Sequence, residues 1–376
     1  MLHVPRERVL SCPLRMESSS ENATSAPRIK LGNRVVAVTG AASFLGRNLV
    51  GLLEEDPQTQ RIVTIDIAAA STARDKTKHF PLDLTAPATE ERVANILASE
   101  HVDTLVHLGF LPSPTHATVW SHELESVGTM HLINAARQTG LRKFIQWSQT
   151  LLYGAHPTNP NFLTERHPLR ADADEPFFAD KIAAEREINA FAAKSKGTVV
   201  TVLRTAPIVG PTVRNWVTRY LSPEKVPTLL GFDPLWQLVH EVDVLAAFKL
   251  AIDRDHPGTY NIVGEGVLPL STIIRLAGRK ATPLLHPLAG PVVGAMWVAQ
   301  ISPFPPSFLR YLRYVCVADG EKARSMGFRP AYTTREALLD YVNAERLRDA
   351  NLLQETPATT EARHGKETQT QAQANR

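Results

Sequence analysis

A doubly wound parallel α/β sheet, followed by a smaller and mostly helical C-terminal region, is the fold class this sequence predicts. Three observations predict it. Val35 to Val38 is a short apolar, β-branched run, and Leu45, Leu49, Leu52 and Leu53 then recur at helical spacing, so a buried strand turns directly into a helix. Apolar strands at 62–65, 102–108, 144–147 and 199–203 follow, separated by crossover-length segments of which 124–137 and 177–192 have helical character, the pattern of parallel strands. Beyond Pro211 strands become sparse and helices dominate, with 235–239 and 260–263 the short exceptions.

The first turn carries the strongest functional signal. Gly40 lets the backbone reverse tightly and Gly46 lets the helix lie close to the strand, while the free N–H groups of the first helical turn, around Ser43, Phe44 and Leu45, point at an anion above them. About twenty residues on, the second strand ends in Asp66, where a carboxylate can accept both ribose hydroxyls of an adenosine. Strand, turn, helix, strand and terminal acid in that order make a Rossmann-like dinucleotide site. A 2′-phosphate would face the charge of Asp66 with no Arg directly after it, which favours NAD over NADP. Ser43 stands where the fingerprint has its middle glycine; its side chain narrows the pyrophosphate approach and can donate to it.

The remaining elements follow in order. Residues 68–78 read as a polar loop and 80–84 as a short strand ending in an acid; Asp83 there is either an acceptor for an adenine amine or a solvated loop acid. After the strand 102–108, Gly109 leaves room for a dinucleotide to cross the sheet edge. The helix over 124–137 has Val127, Met130, Leu132, Ile133 and Ala136 as its inner face, and the strand after it ends at Ser148-Gln149-Thr150, where strand ends line a ligand crevice. A charged loop over 165–175 leads into a helix over 177–192 bearing Lys181. In the segment 284–301, the most apolar in the chain, Pro287 and Pro291 leave only about ten uninterrupted apolar residues, so no membrane span is expected and a buried or interfacial helix is. The aromatics of 304–314 are assigned to core packing.

At 376 residues with 43% hydrophobic content, the chain is long enough for one large core or two fused ones. With 41 Lys and Arg against 38 acids and no basic run with interleaved aromatics, nucleic acid is excluded as a partner. Cys12 and Cys316 match no metal-ligand spacing, so no metal site or disulfide framework is expected and a cytoplasmic location is. The N-terminus lacks an apolar segment long enough for secretion, and Met16 is a possible alternative start. The expected organisation is a disordered leader over 1–30, a cofactor-binding domain over 31–211, a substrate-binding region over 212–348 with elements free to rejoin the sheet, and a disordered tail over 349–376.

Over Arg34 to Tyr341 the chain resembles an extended short-chain dehydrogenase/reductase of the NAD-dependent epimerase/dehydratase group. Beside the glycine turn and Asp66, the likeness rests on Val127-Gly128-Thr129, Leu152-Tyr153-Gly154, Lys181, Leu203-Arg204 with Gly210-Pro211, and the run from Gln237 through His240 and Asp243. The resemblance implies NAD held by Gly40, Ser43, Phe44, Leu45 and Gly46, by Asp66, Asp83 and Leu84, and by Leu108, Gly109 and Lys181. In that family a Tyr four positions before the Lys passes a proton, and a Ser or Thr polarises the substrate oxygen. Here Phe177 stands at the Tyr position and Gln149 at the Ser or Thr position. A phenyl ring exchanges no proton, so the expected catalytic groups are Lys181, Gln149 and Thr150, acting on a hydroxyl or carbonyl of a small molecule, sugar-nucleotide or hydroxysteroid-like. The alternative is an NAD-binding pseudoenzyme or sensor. Tyr153, His240 and Asp243 are expected to pack or order loops, and the resemblance implies a homodimer through two helices of the first domain.

Overall fold

The computed structural model describes residues 34–350. The leader expected over 1–30, Cys12, Met16 and the tail from residue 351 lie outside that range. Seven parallel strands form the central sheet: β1 (Arg34–Thr39), β2 (Thr59–Asp66), β3 (Thr77–Pro81), β4 (Thr104–His107), β5 (Lys143–Gln149), β6 (Val199–Thr205) and β7 (Gly258–Ile262). Their order across the sheet is β7-β6-β5-β4-β1-β2-β3. The chain therefore winds outward in both directions from β1, and the crevice lies where the direction changes, at the C-terminal ends of β1 and β4. Every residue of β1, β4 and β5 is buried, as expected for strands covered on both faces.

Helix α1 (Phe44–Glu55) packs Leu45, Leu49 and Leu53 on one face, together with Val244 and Phe248 of the helix Glu241–Asp253. On the other face lie α2 (Thr89–Ser99), α3 (Thr118–His122) running through a π-turn at Glu123–Val127 into α4 (Gly128–Thr139), and α5 (Pro176–Lys194). Their buried positions, Val93, Leu97, Leu132, Ile133, Ile188 and Phe191, form the second layer of core.

Four expectations are altered or narrowed by the structure, each for a physical reason. The strand expected over 80–84 begins earlier, because pairing with β2 starts at Ile62 and Thr77, and it ends at Pro81, which lets Asp83 turn back and accept the Thr85 N–H. The strand expected at 260–263 is β7, one of the elements left free to rejoin the sheet, and it pairs with β6 across the boundary expected at 211. Strands Lys225–Leu229 and Lys280–Leu284, hidden in the sequence by Pro227 and Pro283, pair with each other at an edge, where a missing N–H is tolerated. The helix expected within 284–301 as buried or interfacial spans His286–Val298, and its exposure removes the buried alternative, since Ala289 and Val293 alone of its residues are buried. No helix among the described residues is long and apolar enough to cross a membrane. The aromatics of 304–314 do pack: Phe304, Phe308 and Tyr311 join Trp216, Trp236, Phe177 and Phe178 in a core of their own.

Candidate active site

The β1–α1 turn is built so that a side chain at either glycine would collide with backbone. Gly40 has φ of 68°, and a Cβ there would lie 2.6 Å from the carbonyl carbon and oxygen of Leu108. A Cβ on Gly46 would lie 2.1 Å from the Gly40 carbonyl oxygen. The turn is thereby pressed onto the end of β4, and Leu108 and Gly109 sit directly against it. Ser43 caps α1: its hydroxyl oxygen accepts the Gly46 N–H at 3.0 Å and its carbonyl accepts that of Arg47. The hydroxyl hydrogen stays free to donate. The Phe44 and Leu45 amides, first in the helix, have no acceptor among the described residues and are left for an anion.

Asp66 ends β2 beside this turn, with one carboxylate oxygen accepting the Ala42 N–H at 3.0 Å and the other the Ile67 N–H at 2.7 Å. Leu84 reaches the same edge, packing beside Gly109 and Gly128. Asp83 closes a local turn through the Thr85 amide and hydroxyl. Apart from Asp83 and Lys181, the residues read from the sequence as a dinucleotide cradle are thus gathered at the switch point. Tight glycines, two open amides and a carboxylate on the neighbouring strand fit an adenosine diphosphate moiety.

The polar groups for chemistry are arranged differently from a simple lysine beside an open crevice. Lys181 Nζ donates to both carboxylate oxygens of Glu125, at 2.8 Å each, and both side chains are buried. The Phe177 ring, one helical turn before Lys181, lies under the same ammonium at 3.8 Å from ring centre to Nζ, a cation–π contact. Burial pushes the Lys181 ammonium down and the Glu125 carboxyl up, and their mutual attraction opposes both shifts. Glu125 also accepts the Leu111 N–H, which fixes the loop leading to Pro112. Pro112 in turn walls a recess with Gln149, Trp147, Pro207 and Trp216. That recess, about 10 Å³, has room for about one water. It is closed by the Trp216 N–H donating to the Pro112 carbonyl at 3.2 Å. Thr150 opens the short 3₁₀ turn just after Gln149 and is buried.

Comparison with known proteins fits this geometry. Residues 36–263 match the model of the NAD dependent epimerase/dehydratase family. The chain belongs to that family. An uncharacterized protein of Mycobacterium tuberculosis is 30% identical over 313 residues, 82% of this chain and 83% of that one. A dTDP-D-glucose 4,6-dehydratase of Mus musculus is 24% identical over 349 residues, 86% of this chain and 91% of the enzyme. Among solved structures, MoeE5 in complex with UDP-glucuronic acid and NAD shares the fold with a TM-score of 0.65 at 22% identity, covering 83% of this chain and 99% of that one.

For this member of the NAD dependent epimerase/dehydratase family, sequence reasoning missed two groups at the site. Glu125 shares a helical face with Gly128, Thr129 and Leu132, and an acid on an inward face is the signal that a buried partner awaits it. His107, inside β4, is the other. Thr129 donates its hydroxyl to the Glu125 carbonyl, so it accepts from His107 Nε2 at 3.0 Å, and His107 Nδ1 accepts the Thr39 hydroxyl at 2.7 Å. The imidazole is therefore a neutral Nε2–H tautomer, with burial pushing its pKa down to about 3.

The remaining sequence candidates have structural partners. Tyr153 donates to Asn261 at 2.8 Å and receives Arg204 at 2.7 Å, and Arg204 is paired with buried Glu185. Burial raises the phenol to about 12, and the network ties the turn after β5 to α5, β6 and β7. His240 accepts the Val242 N–H through Nδ1 and meets Asp340 at 3.0 Å, while Asp243 accepts the Ala331 and Tyr332 amides. Both order the loop rather than face the crevice.

Proposed function

We propose that the chain binds NAD along the C-terminal edge of β1, β2 and β4 and oxidises or reduces a hydroxyl or carbonyl carbon of a small molecule, a sugar nucleotide or a hydroxysteroid-like compound. The observation that carries this reading is the cradle: glycines that backbone contacts forbid to change, the open Phe44 and Leu45 amides, and Asp66 one strand away. When bound, the dinucleotide supplies the hydride acceptor or donor. The rest belongs to this chain's own residues. The Gln149 amide, at the end of β5, donates to a developing oxyanion in the recess, with Thr150 beside it. Phe177 carries no exchangeable proton, so the proton passes to or from Lys181, directly or through one water, with Glu125 holding the ammonium in place. Substrate entry requires the Pro112 loop to part from Trp216.

Calorimetric titration with NAD and NADP tests the cradle: saturation by NAD and weaker binding of NADP are expected, with Asp66→Asn narrowing the gap. Turnover is tested with a panel of alcohols and carbonyl compounds by NADH absorbance, and Lys181→Ala should abolish it. Absence of any dinucleotide binding would refute the proposal. Binding without turnover across the panel would leave a cofactor-binding module and remove the catalytic half.

A further inference from the structure

The helix His286–Val298 presents the least expected surface of the molecule. From Ala281 to Leu309 the sequence contains no Asp, Glu, Lys or Arg, yet the helix within that stretch faces outward. Leu288, Val292 and Met296 follow one another at one-turn intervals on an exposed face, and Leu285, Val298 and Ile301 extend it at both ends. Their exposure runs from 38% for Met296 to 81% for Val298, far from the scattered single apolar residues of an ordinary surface. Leu230 adds to the patch next to Leu285, since its amide donates to the Leu284 carbonyl.

The border of this face is cationic. His286, Arg310 and Arg313 line a groove of about 430 Å³ with Pro287, Ala289 and Gly290, and no carboxylate is among its walls. Arg313 lies over the Phe232 and Tyr314 rings and within 2.6 Å of His286 Nε2, so its charge is held at the border rather than neutralised by an acid. At the far end Lys280 is paired with Glu224, which leaves the arginine side as the charged one.

We propose that this face docks the protein onto an anionic lipid surface, the helix lying in the headgroup region with Leu288, Val292, Met296 and Val298 among the acyl chains and Arg310 and Arg313 on the headgroup phosphates. The helix is too short to span a bilayer and apolar enough to rest in one. The chemistry fits lipid better than a second copy of the chain. Leu285, Leu288, Val292, Met296, Val298 and Ile301 offer no hydrogen-bond donor or acceptor, which a protein interface needs to fix its register and an acyl phase does not.

The test is sedimentation of the full-length protein with vesicles of phosphatidylcholine alone and of phosphatidylcholine with phosphatidylglycerol. Binding to the anionic vesicles is expected. Leu288→Asp and Met296→Asp, both at exposed positions, should each weaken it at least about tenfold while leaving the thermal melt unchanged. Arg310→Glu should remove the preference for anionic vesicles. Val298→Asp, at the most exposed position, replaces either variant that fails to fold. The proposal falls if the protein sediments with neither vesicle, if the Asp variants bind as well as the parent, or if light scattering shows a dimer that Leu288→Asp splits.

Discussion

Replacing Glu125 by Gln keeps the side-chain shape and an acceptor for the Leu111 amide, but it strips the counterion from a buried ammonium. Removing one partner of a buried pair costs about 3–5 kcal/mol. A ceiling follows from the lysine itself, since shedding its proton at pH 7 against an ordinary value of 10.5 costs about 4.8 kcal/mol at 1.36 kcal/mol per pH unit. Because the folded-state value lies below the unfolded one, the unfolded chain binds the extra proton, and stability must rise with pH up to about 10.5. Glu125→Gln should therefore be about 3–5 kcal/mol less stable than the parent at pH 7 and regain part of that loss as pH rises towards the ordinary lysine range. Lys181→Met should show the opposite slope, because the orphaned carboxyl is raised in the folded state and stability then falls as pH rises above 4.5. The double variant, with neither charge, should lose less than the two single losses added, by about 3 kcal/mol or more. Urea unfolding followed by the five tryptophans at several pH values measures all three. Additive losses, or a Glu125→Gln variant whose stability ignores pH, would show that the pair is not the buried, coupled unit described.

His107 and Gln146 give two further expectations. Since burial holds the imidazole near 3 against an ordinary 6.5, the unfolded chain binds the extra proton between those values, so stability is lost as pH falls below 6.5, by up to about 1.4 kcal/mol per pH unit. His107→Asn should flatten that slope relative to the parent between about pH 6.5 and 4.5, above the range where ordinary carboxylates titrate, as read from urea midpoints. Gln146, in register with His107 on β5, is fully buried with both amide atoms lacking a partner among the described residues. Gln146→Met removes two unsatisfied polar atoms at similar volume and should raise stability by about 1–3 kcal/mol; a lower thermal midpoint would mean that the amide is satisfied in solution.

The shape of the β1–α1 turn was legible because its residues answer to local geometry. Gly40 and Gly46 are dictated by backbone approaches within a single strand–turn–helix unit, and Asp66 by the end of the next strand, so spacing alone located them. Lys181 and Gln149 were legible as positions but not as environments. Whether a lysine faces a crevice or a buried carboxylate depends on a residue far away in the chain, and no periodicity links 181 to 125. His107 was hidden for the same reason, its partners being Thr39 and Thr129. The helix His286–Val298 could be read as apolar, but which way an all-apolar helix faces is decided by its neighbours, and the sequence offers no polar face to mark the outside.

The pairing of β7 with β6 also sets an order of events. Until the ribosome has delivered residues 258–262, β6 stands at the rim of the sheet with its hydrogen-bonding groups open. A nascent chain that stalls after Pro211 would hold a complete β1–α1 turn beside a strand edge free to pair with any extended neighbour, so the latecomer protects against wrong partners as much as it widens the sheet.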